Sequence, residues 1–334
     1  MATTSVPLTK PTAPVLAGAR SESQWAIVLR RFRKHRMAMI SLGALMVVFL
    51  ASLLAPVLAP FPRDATGLAP RFSPPLTAYN GQMHWLGTDH VGRDFFTRLL
   101  YAARITLSIS FFAATLATLI GMTLGALAGY FRGLVDSIVM RILEFMASIP
   151  DFPILLIVTS ILASRPESLP IPRFVLDAMG ALMLLSPVGN ERAQVVVIIV
   201  VLTAFGWISA ARLMRGMVLS VRERDFIEAT RALGASNARI ILRHVVPNAF
   251  PPLVVSYTLS LAGALTAETA LSFLGIGITD PTPTWGNMLQ FATNFMLTDP
   301  WVPLIPGLPV VIASLAFNFI GDGLRDALDP RLKM

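Results

Sequence analysis

The chain has no cysteine among its 334 residues. That excludes a disulfide framework, a thiol nucleophile and a thiolate-held metal, and leaves the redox compartment open. Charge is also scarce, since Asp, Glu, Lys and Arg make up 14% of the residues where a soluble domain carries about a quarter. No Gly-Lys pair occurs, so the chain lacks the phosphate-cradling G-x-x-x-x-G-K-S/T loop. No Ser/His/Asp set or metal constellation converges at one depth, as a membrane-embedded hydrolase requires.

What remains is apolar. Hydrophobic residues make up 54% of the chain and its mean hydropathy is +0.67, the balance of a polytopic membrane protein. The net charge of +8 could suggest nucleic acid, but the basic residues border apolar runs instead of interleaving with aromatics. The first 24 or so residues are rich in Thr, Pro, Ala and Ser without an apolar period, and read as a disordered tail rather than a signal peptide. A basic cluster, RRFRKHR from Arg30 to Arg36, borders a charge-free run from Met37 to Phe61, long enough to cross a ~30 Å hydrocarbon core as an uncleaved first span. Beside a span, such a cluster reads as an orientation determinant.

Five further spans are expected at Ile105–Phe131, Ile142–Ser164, Ala193–Ala211, Val245–Ala267 and Trp301–Gly321. The patch from Ala178 to Pro187 is too short to cross and suits a surface or re-entrant helix. With six spans and the N-terminus in the cytoplasm, nineteen of the 27 Lys and Arg residues fall on the cytoplasmic side and eight outside. Both termini are therefore expected in the cytoplasm, together with the polar connection at 222–246. The outer loops are expected at 62–104 and 165–192.

That connection contains EATRALGASNARIILRHVVPN, residues 228–248. Phe226, Ala229 and Leu233, with Ile227 alongside, recur at helical spacing, while Arg224, Glu228 and Arg231 share another face. Gly234 suits a left-handed C-terminal cap. Ser236 or Asn237 can cap a second short helix through Ile241, and Pro247 begins the fifth span. A helix, a glycine turn and a helix lying parallel to the membrane are predicted. An amphipathic helix can rest in lipid headgroups, but a bent knob with a lone glutamate among arginines better fits a groove on a cytoplasmic partner.

These residues resemble the coupling motif of the inner-membrane permease subunits of ABC importers, in particular the dipeptide, oligopeptide and nickel branch. Glu228, Ala229, Gly234 and Pro247 match the motif at the family's spacing. Thr230, His244 and Val246 depart from its general form, and His244 to Asn248 is similar to the peptide branch's ending. HWLGTDHVGRD (His84 to Asp94), GYFRGLVDSIVMR (Gly129 to Arg141), ALSFLGIG (Ala270 to Gly277), PTPTWGNML (Pro281 to Leu289) and FNFIGDGLRDALDPRL (Phe317 to Leu332) resemble blocks of that branch's C-type permease.

The resemblance implies an all-α, six-span type I importer fold, with a cytoplasmic tail at 1–36 and a permease domain at 37–334. It also implies a prokaryotic inner-membrane location. The implied partners are a second homologous permease, two cytoplasmic ATPases that bind ATP and Mg, an extracytoplasmic substrate-binding protein and membrane lipid. The chain itself would bind no cofactor. Its coupling residues would be Arg224, Glu228, Ala229, Thr230, Arg231, Gly234, Ala235, His244 and Pro247. Short peptides are the expected cargo, with nickel, opines and glycosides as alternatives within the branch.

Other residues carry two readings each. His84, Asp89, His90 and Asp94 fit no common zinc spacing and read as turn formers and ion-pair partners. Gly121, Gly125 and Gly129 lie on one face of the second span and suit close helix packing against a neighbour the sequence does not identify. Glu144 and Asp151 either line a transport path or pair with arginines such as Arg141, and Asp151 in IPDFP marks a kink. Glu268, 21 residues past Pro247, falls near the outer boundary as a gate residue or as a capping or interhelical hydrogen-bond partner. Asp322 and Arg325 are spaced for a surface ion pair. An ion-gradient-driven transporter would need ionisable residues along its spans, and the uncharged second, fourth and sixth spans offer few.

Overall fold

The computed structural model describes residues 24–165, 170–185 and 190–329. The tail expected over the first 24 residues falls outside them up to residue 23, as do Arg331, Lys333 and parts of the 165–192 segment. Helix α1 (Gln24–Lys34) stops at His35, whose Nδ1 accepts the Ala38 N–H at 3.1 Å and so caps α2 (Arg36–Leu53). The single span expected from Met37 to Phe61 is corrected here. α2 ends at Leu53, and a short α3 (Ala55–Leu58) restarts with Pro56 in its first turn. Inside a continuous helix Pro56 would clash with the carbonyl four residues back, whereas the first turn needs no donor there.

A two-stranded hairpin follows, β1 (Thr77–Tyr79) and β2 (Gln82–His84), a small departure from the expected all-α content. Asn80 and Gly81 at its tip both have positive φ, as a tight two-residue turn requires. Next comes α4 (Phe95–Phe131), capped by Asp94, which accepts the Thr97 N–H at 2.8 Å. At 37 residues α4 is about 55 Å long and overshoots the ~30 Å core. It therefore begins ten residues before the expected Ile105. Arg98 and Arg104 do not stop it, because their guanidiniums reach Asp280 and the Leu182 carbonyl.

The third expected span is not one kinked helix. It is two, α5 (Gly133–Ala147) and α6 (Asp151–Ser164), bent by 87°. Pro150 cannot continue α5 and stands as the N-cap of α6. α7 (Arg173–Met183) is a short helix where a surface or re-entrant helix was expected from Ala178 to Pro187, shifted toward the N-terminus and ended by a left-handed Leu184. The long α8 (Glu191–Val221) leads to α9 (Asp225–Ala232). α10 (Asn237–Ile240) then runs through a π-turn (Ile241–Val245) into α11 (Val246–Phe273). α12 (Trp285–Thr293) and α13 (Leu304–Leu328) complete the described chain.

The α4–α8 seam organises the bundle. A Cβ at Gly121, Gly125 or Gly129 would lie 2.5, 2.4 or 2.9 Å from the carbonyl oxygens of Trp207, Ala211 and Arg215. Only glycine allows this approach, and it answers which neighbour the three glycines meet. The matched positions advance by four on both helices in the same direction, so α4 and α8 run parallel. The chain between them must return to its starting end, and α5 with α6 makes that return.

α11 runs the opposite way, from Val245 beside Val221 to Leu271 beside Ile105 and Ile109. α13 descends again and finishes with Gly323 against Ala38 and Phe32. α2, α4, the α5–α6 pair, α8, α11 and α13 thus make six passes. Among the described residues five of these are single helices long and apolar enough to span a bilayer, and the bent pair is a sixth candidate.

Six passes bring both described ends to the end that carries α9. There Arg31 Nη1 donates to the Asp329 carbonyl at 2.9 Å, and His35 Nε2 stands 3.7 Å from Asp326. The expected Asp322–Arg325 ion pair does not form among the described residues. Both side chains are exposed, where such a pair gains only a few tenths of a kcal/mol against the entropy of fixing it.

Candidate functional site

The α9 end is built outward from one buried side chain. Ile227 is fully buried among Val218, Val221, Ile240 and Val245. The helix around it starts at Asp225, inside the expected 222–233 stretch, and faces Ile227 inward and Phe226 outward. Leu233, expected on the same apolar stripe, is 88% exposed. Asp225 and Glu228 occupy the first turn and Arg231 the last, each sign favourable to the helix dipole. No ion pair joins Glu228 to Arg224 or Arg231 among the described residues. All three are exposed, with Ala229 between them.

Gly234 closes the helix at φ +80°, with its N–H donated to the Arg231 carbonyl at 2.9 Å and that of Ala235 to Thr230 at 3.3 Å. Nothing lies within 4 Å of where a Cβ would sit, so glycine is required by the backbone angle and not by space. The side chain of Ser236 then accepts the Arg239 N–H at 3.5 Å, as the sequence led one to expect. The separate second helix is corrected: residues Asn237 to Phe273 form one continuous rod. Pro247 cannot donate to the carbonyl four residues earlier, and the π-turn just before it, where the Val246 N–H reaches the Ile241 carbonyl, opens room for its ring. His244 lies on that turn, and Pro247 is exposed one residue beyond α11's start.

Polar contacts fix this knob to the bundle. Tyr130 Oη donates to Asn237 at 2.9 Å, Arg222 donates to the Tyr130 carbonyl and sits over its ring, and Arg132 pairs with Glu223. Arg215 Nη2 donates to Asp136 at 2.6 Å. These contacts tie the ends of α4, α5 and α8 to the start of α10, on either side of α9.

The three acids expected as path or gate residues do not come together. Glu144 and Asp151 stand exposed on either side of the α5–α6 bend, and neither pairs with Arg141 or any other cation among the described residues. Glu268 is fully buried and accepts from Ser272 Oγ at 2.8 Å. Ser272 Oγ in turn accepts the Ile278 N–H at 3.0 Å, so the glutamate fastens the 274–287 turn onto α11.

At the hairpin end lies an ionic cluster of which sequence reading had marked only Asp89, as an ion-pair partner. Arg98, 2% exposed on its side chain, holds Asp280 at 3.0 Å, and Arg93 holds Asp280 at 2.9 Å and Asp89 at 2.6 Å. Arg63 bridges Asp64 at 2.7 Å and Glu191 at 3.0 Å. Asp280 is buried enough to oppose ionisation, but the Arg93 hydrogen bond and the two guanidinium charges outweigh this and hold it below the usual carboxylate range. Burial lowers the His90 imidazole from its ordinary value; its ring stacks on Phe291 at 4.2 Å. His84 Nδ1 lies 2.9 Å from Asp94 and its ring stacks on Phe61. His84, Asp89 and Asp94 are thus pairing and capping residues, and no cluster of three metal-ligating side chains occurs among the described residues.

Residues 121–334 match the binding-protein-dependent transport system inner membrane component, and residues 23–75 match the N-terminal TM domain of oligopeptide transport permease C. A dipeptide transport system permease protein, DppC, of Alkalihalophilus pseudofirmus is 36% identical over 93% of this chain and 91% of its own length. The oligopeptide permease OppC of Bacillus subtilis is 33% identical over 94% of this chain and 92% of its own. Among solved structures, a chain of the MetNI methionine ABC transporter, in an inward-facing conformation, aligns with a TM-score of 0.49 at 21% identity. That alignment covers 70% of this chain and 97% of the other. The chain belongs to the inner-membrane components of binding-protein-dependent transport systems, the multi-pass permeases of ABC importers. Within them it is a C-type permease of the dipeptide and oligopeptide branch.

Proposed function

We propose that this permease passes the closing stroke of two cytoplasmic ATPases to its own bundle through the exposed face of α9 and the Gly234 turn. The supporting observation is that α9 is anchored by Ile227 while Phe226, Leu233, Glu228, Ala229 and Arg231 face away from the bundle. Apolar and charged groups left open on a rigidly fixed knob suit a protein groove. ATP and Mg bind in the ATPase partners, and this chain supplies the lever. Arg224, Thr230 and Ala235 shape the knob, and the rod from Asn237 through His244 and Pro247 carries its displacement into α11.

The α9 end, with both chain ends, faces the cytoplasm, and the hairpin end faces outward to receive a substrate-binding protein. Residues 1–36 form a cytoplasmic tail and 37–334 the permease domain, of the type I importer kind. A second permease completes the translocation path along the exposed α5–α6 face, where Glu144 and Asp151 lie. Short peptides are the cargo, in keeping with the dipeptide and oligopeptide permeases among the relatives.

Peptide uptake into inside-filled vesicles tests this reading. Uptake should require interior ATP and survive collapse of the ion gradient, and it should fall in Gly234→Val and Glu228→Lys while membrane insertion is unchanged. Normal uptake in both variants would contradict it.

A further inference from the structure

We infer that this chain carries a binding site for one anionic phospholipid, with an acyl chain in the groove between α2, α4 and α13 and the phosphate on Arg104. The groove has a volume of about 390 Å³ and is lined by Leu42, Phe49 and Leu53 of α2, Leu107 and Phe111 of α4, and Phe317 of α13. Its α2 wall, from Leu42 to Leu53, is about 16 Å long at a helical rise of ~1.5 Å per residue. That matches half of a ~30 Å hydrocarbon core, the depth of a single leaflet. The groove therefore fits an acyl chain of the leaflet nearest the hairpin.

Arg104 stands at the groove's hairpin end, as the last charge before the uncharged run that continues to Phe131. This is where a phospholipid seated in the groove would place its phosphate. The guanidinium is held in position by carbonyls, with Nε donating to Leu182 at 2.6 Å and Nη1 to Leu53 at 3.3 Å. Arg63, Arg93, Arg98 and Arg192 at the same end each hold a carboxylate. Arg104, like Arg71 and Arg173, holds none among the described residues, and of these only Arg104 lines the groove, so its fixed positive charge is left for an anion such as a phosphate. A zwitterionic headgroup offers the same phosphate but brings its own ammonium cation beside the guanidinium, so it neutralises that charge less well.

The test counts phospholipids that stay on the full chain in its purified assembly through delipidation, by native mass spectrometry, with phosphatidylglycerol and phosphatidylethanolamine as probes. One phosphatidylglycerol per chain should be retained in preference to phosphatidylethanolamine. Arg104→Gln should weaken that retention about fivefold, the effect of one basic residue at an anionic surface. Arg104→Lys keeps the charge while changing the hydrogen bonds to Leu182 and Leu53, and should retain the lipid. Ser108→Phe should fill the groove and release both probes. Equal retention by the native chain and Arg104→Gln would overturn the proposal, as would loss in Arg104→Lys equal to that in Arg104→Gln. So would a crosslink from Met46→Cys to a second permease with no retained lipid, since the groove would then be a subunit interface.

Discussion

The two ends of this bundle solve the problem of charge in opposite ways. At the hairpin end, Arg63, Arg93 and Arg98 are matched to Asp64, Asp89, Glu191 and Asp280 inside a closed cap. At the α9 end, Arg224, Glu228 and Arg231 stand exposed and unpaired among the described residues, beside an open Phe226 and Leu233. The ions of that cluster are satisfied within the single chain. Large apolar side chains stand open at both ends, Leu76, Trp85 and Leu297 among them at the hairpin end, so it is the open charges around α9 that set it apart and suit the partner surface proposed above.

The largest effect is expected where the cap is broken. Arg98→Leu leaves Asp280 and Asp89 with too little compensating charge, and should cost about 3 kcal/mol, the low end for breaking a buried pair. It falls at the low end because Asp280 keeps 35% of its side chain open to water. A lowered thermal midpoint in detergent checks this. Next is the seam both ends share. Gly125→Val drives a side chain into the Ala211 carbonyl, only 2.4 Å from the Cβ position, and should destabilise by about 1–3 kcal/mol in the same assay.

At the α9 end the same kind of change should act differently. Gly234→Val forces a left-handed backbone on a β-branched residue, at about 1–2 kcal/mol, but meets no neighbouring atom. Its thermal midpoint should therefore move less than that of Gly125→Val while uptake falls. Gly234→Asn, which tolerates positive φ, should recover part of that uptake.

The smallest effect is set by pH. The His90 and Asp280 values are both depressed in the folded chain. Each contributes stability above its unfolded value that is lost as pH falls through the folded one. Acidification from about pH 6.5 toward pH 4 should raise hydrogen exchange in residues 64–94 and leave α9 unchanged.

Much of this architecture was legible because long uncharged runs have few ways to fold in lipid. The runs beginning at Ile105, Ala193 and Val245 each mark a helix that the structure contains. Their ends were less legible, because a charge such as Arg98 reads as a boundary until its partner is known. That partner, Asp280, lies 182 residues away. The glycine turn could be read locally, since φ at Gly234 is set by its own backbone, whereas the phase of α9 could not. The expected stripe held Phe226, Ala229 and Leu233 with Ile227 alongside, and packing against α8 and α10 buries Ile227 alone of these. The IPDFP break was visible but its 87° angle was not, and the parallel α4–α8 seam requires only that the intervening chain return across the bundle.

The absence of native cysteine makes the central claim directly measurable, because Leu233→Cys would introduce the sole thiol in the chain. In the assembled transporter a thiol-directed crosslinker at position 233 should yield an adduct with an ATPase subunit, in an amount that changes when ATP is added. Free labelling of that thiol by a water-soluble maleimide in the intact assembly, with no ATPase adduct in either nucleotide state, would contradict the account.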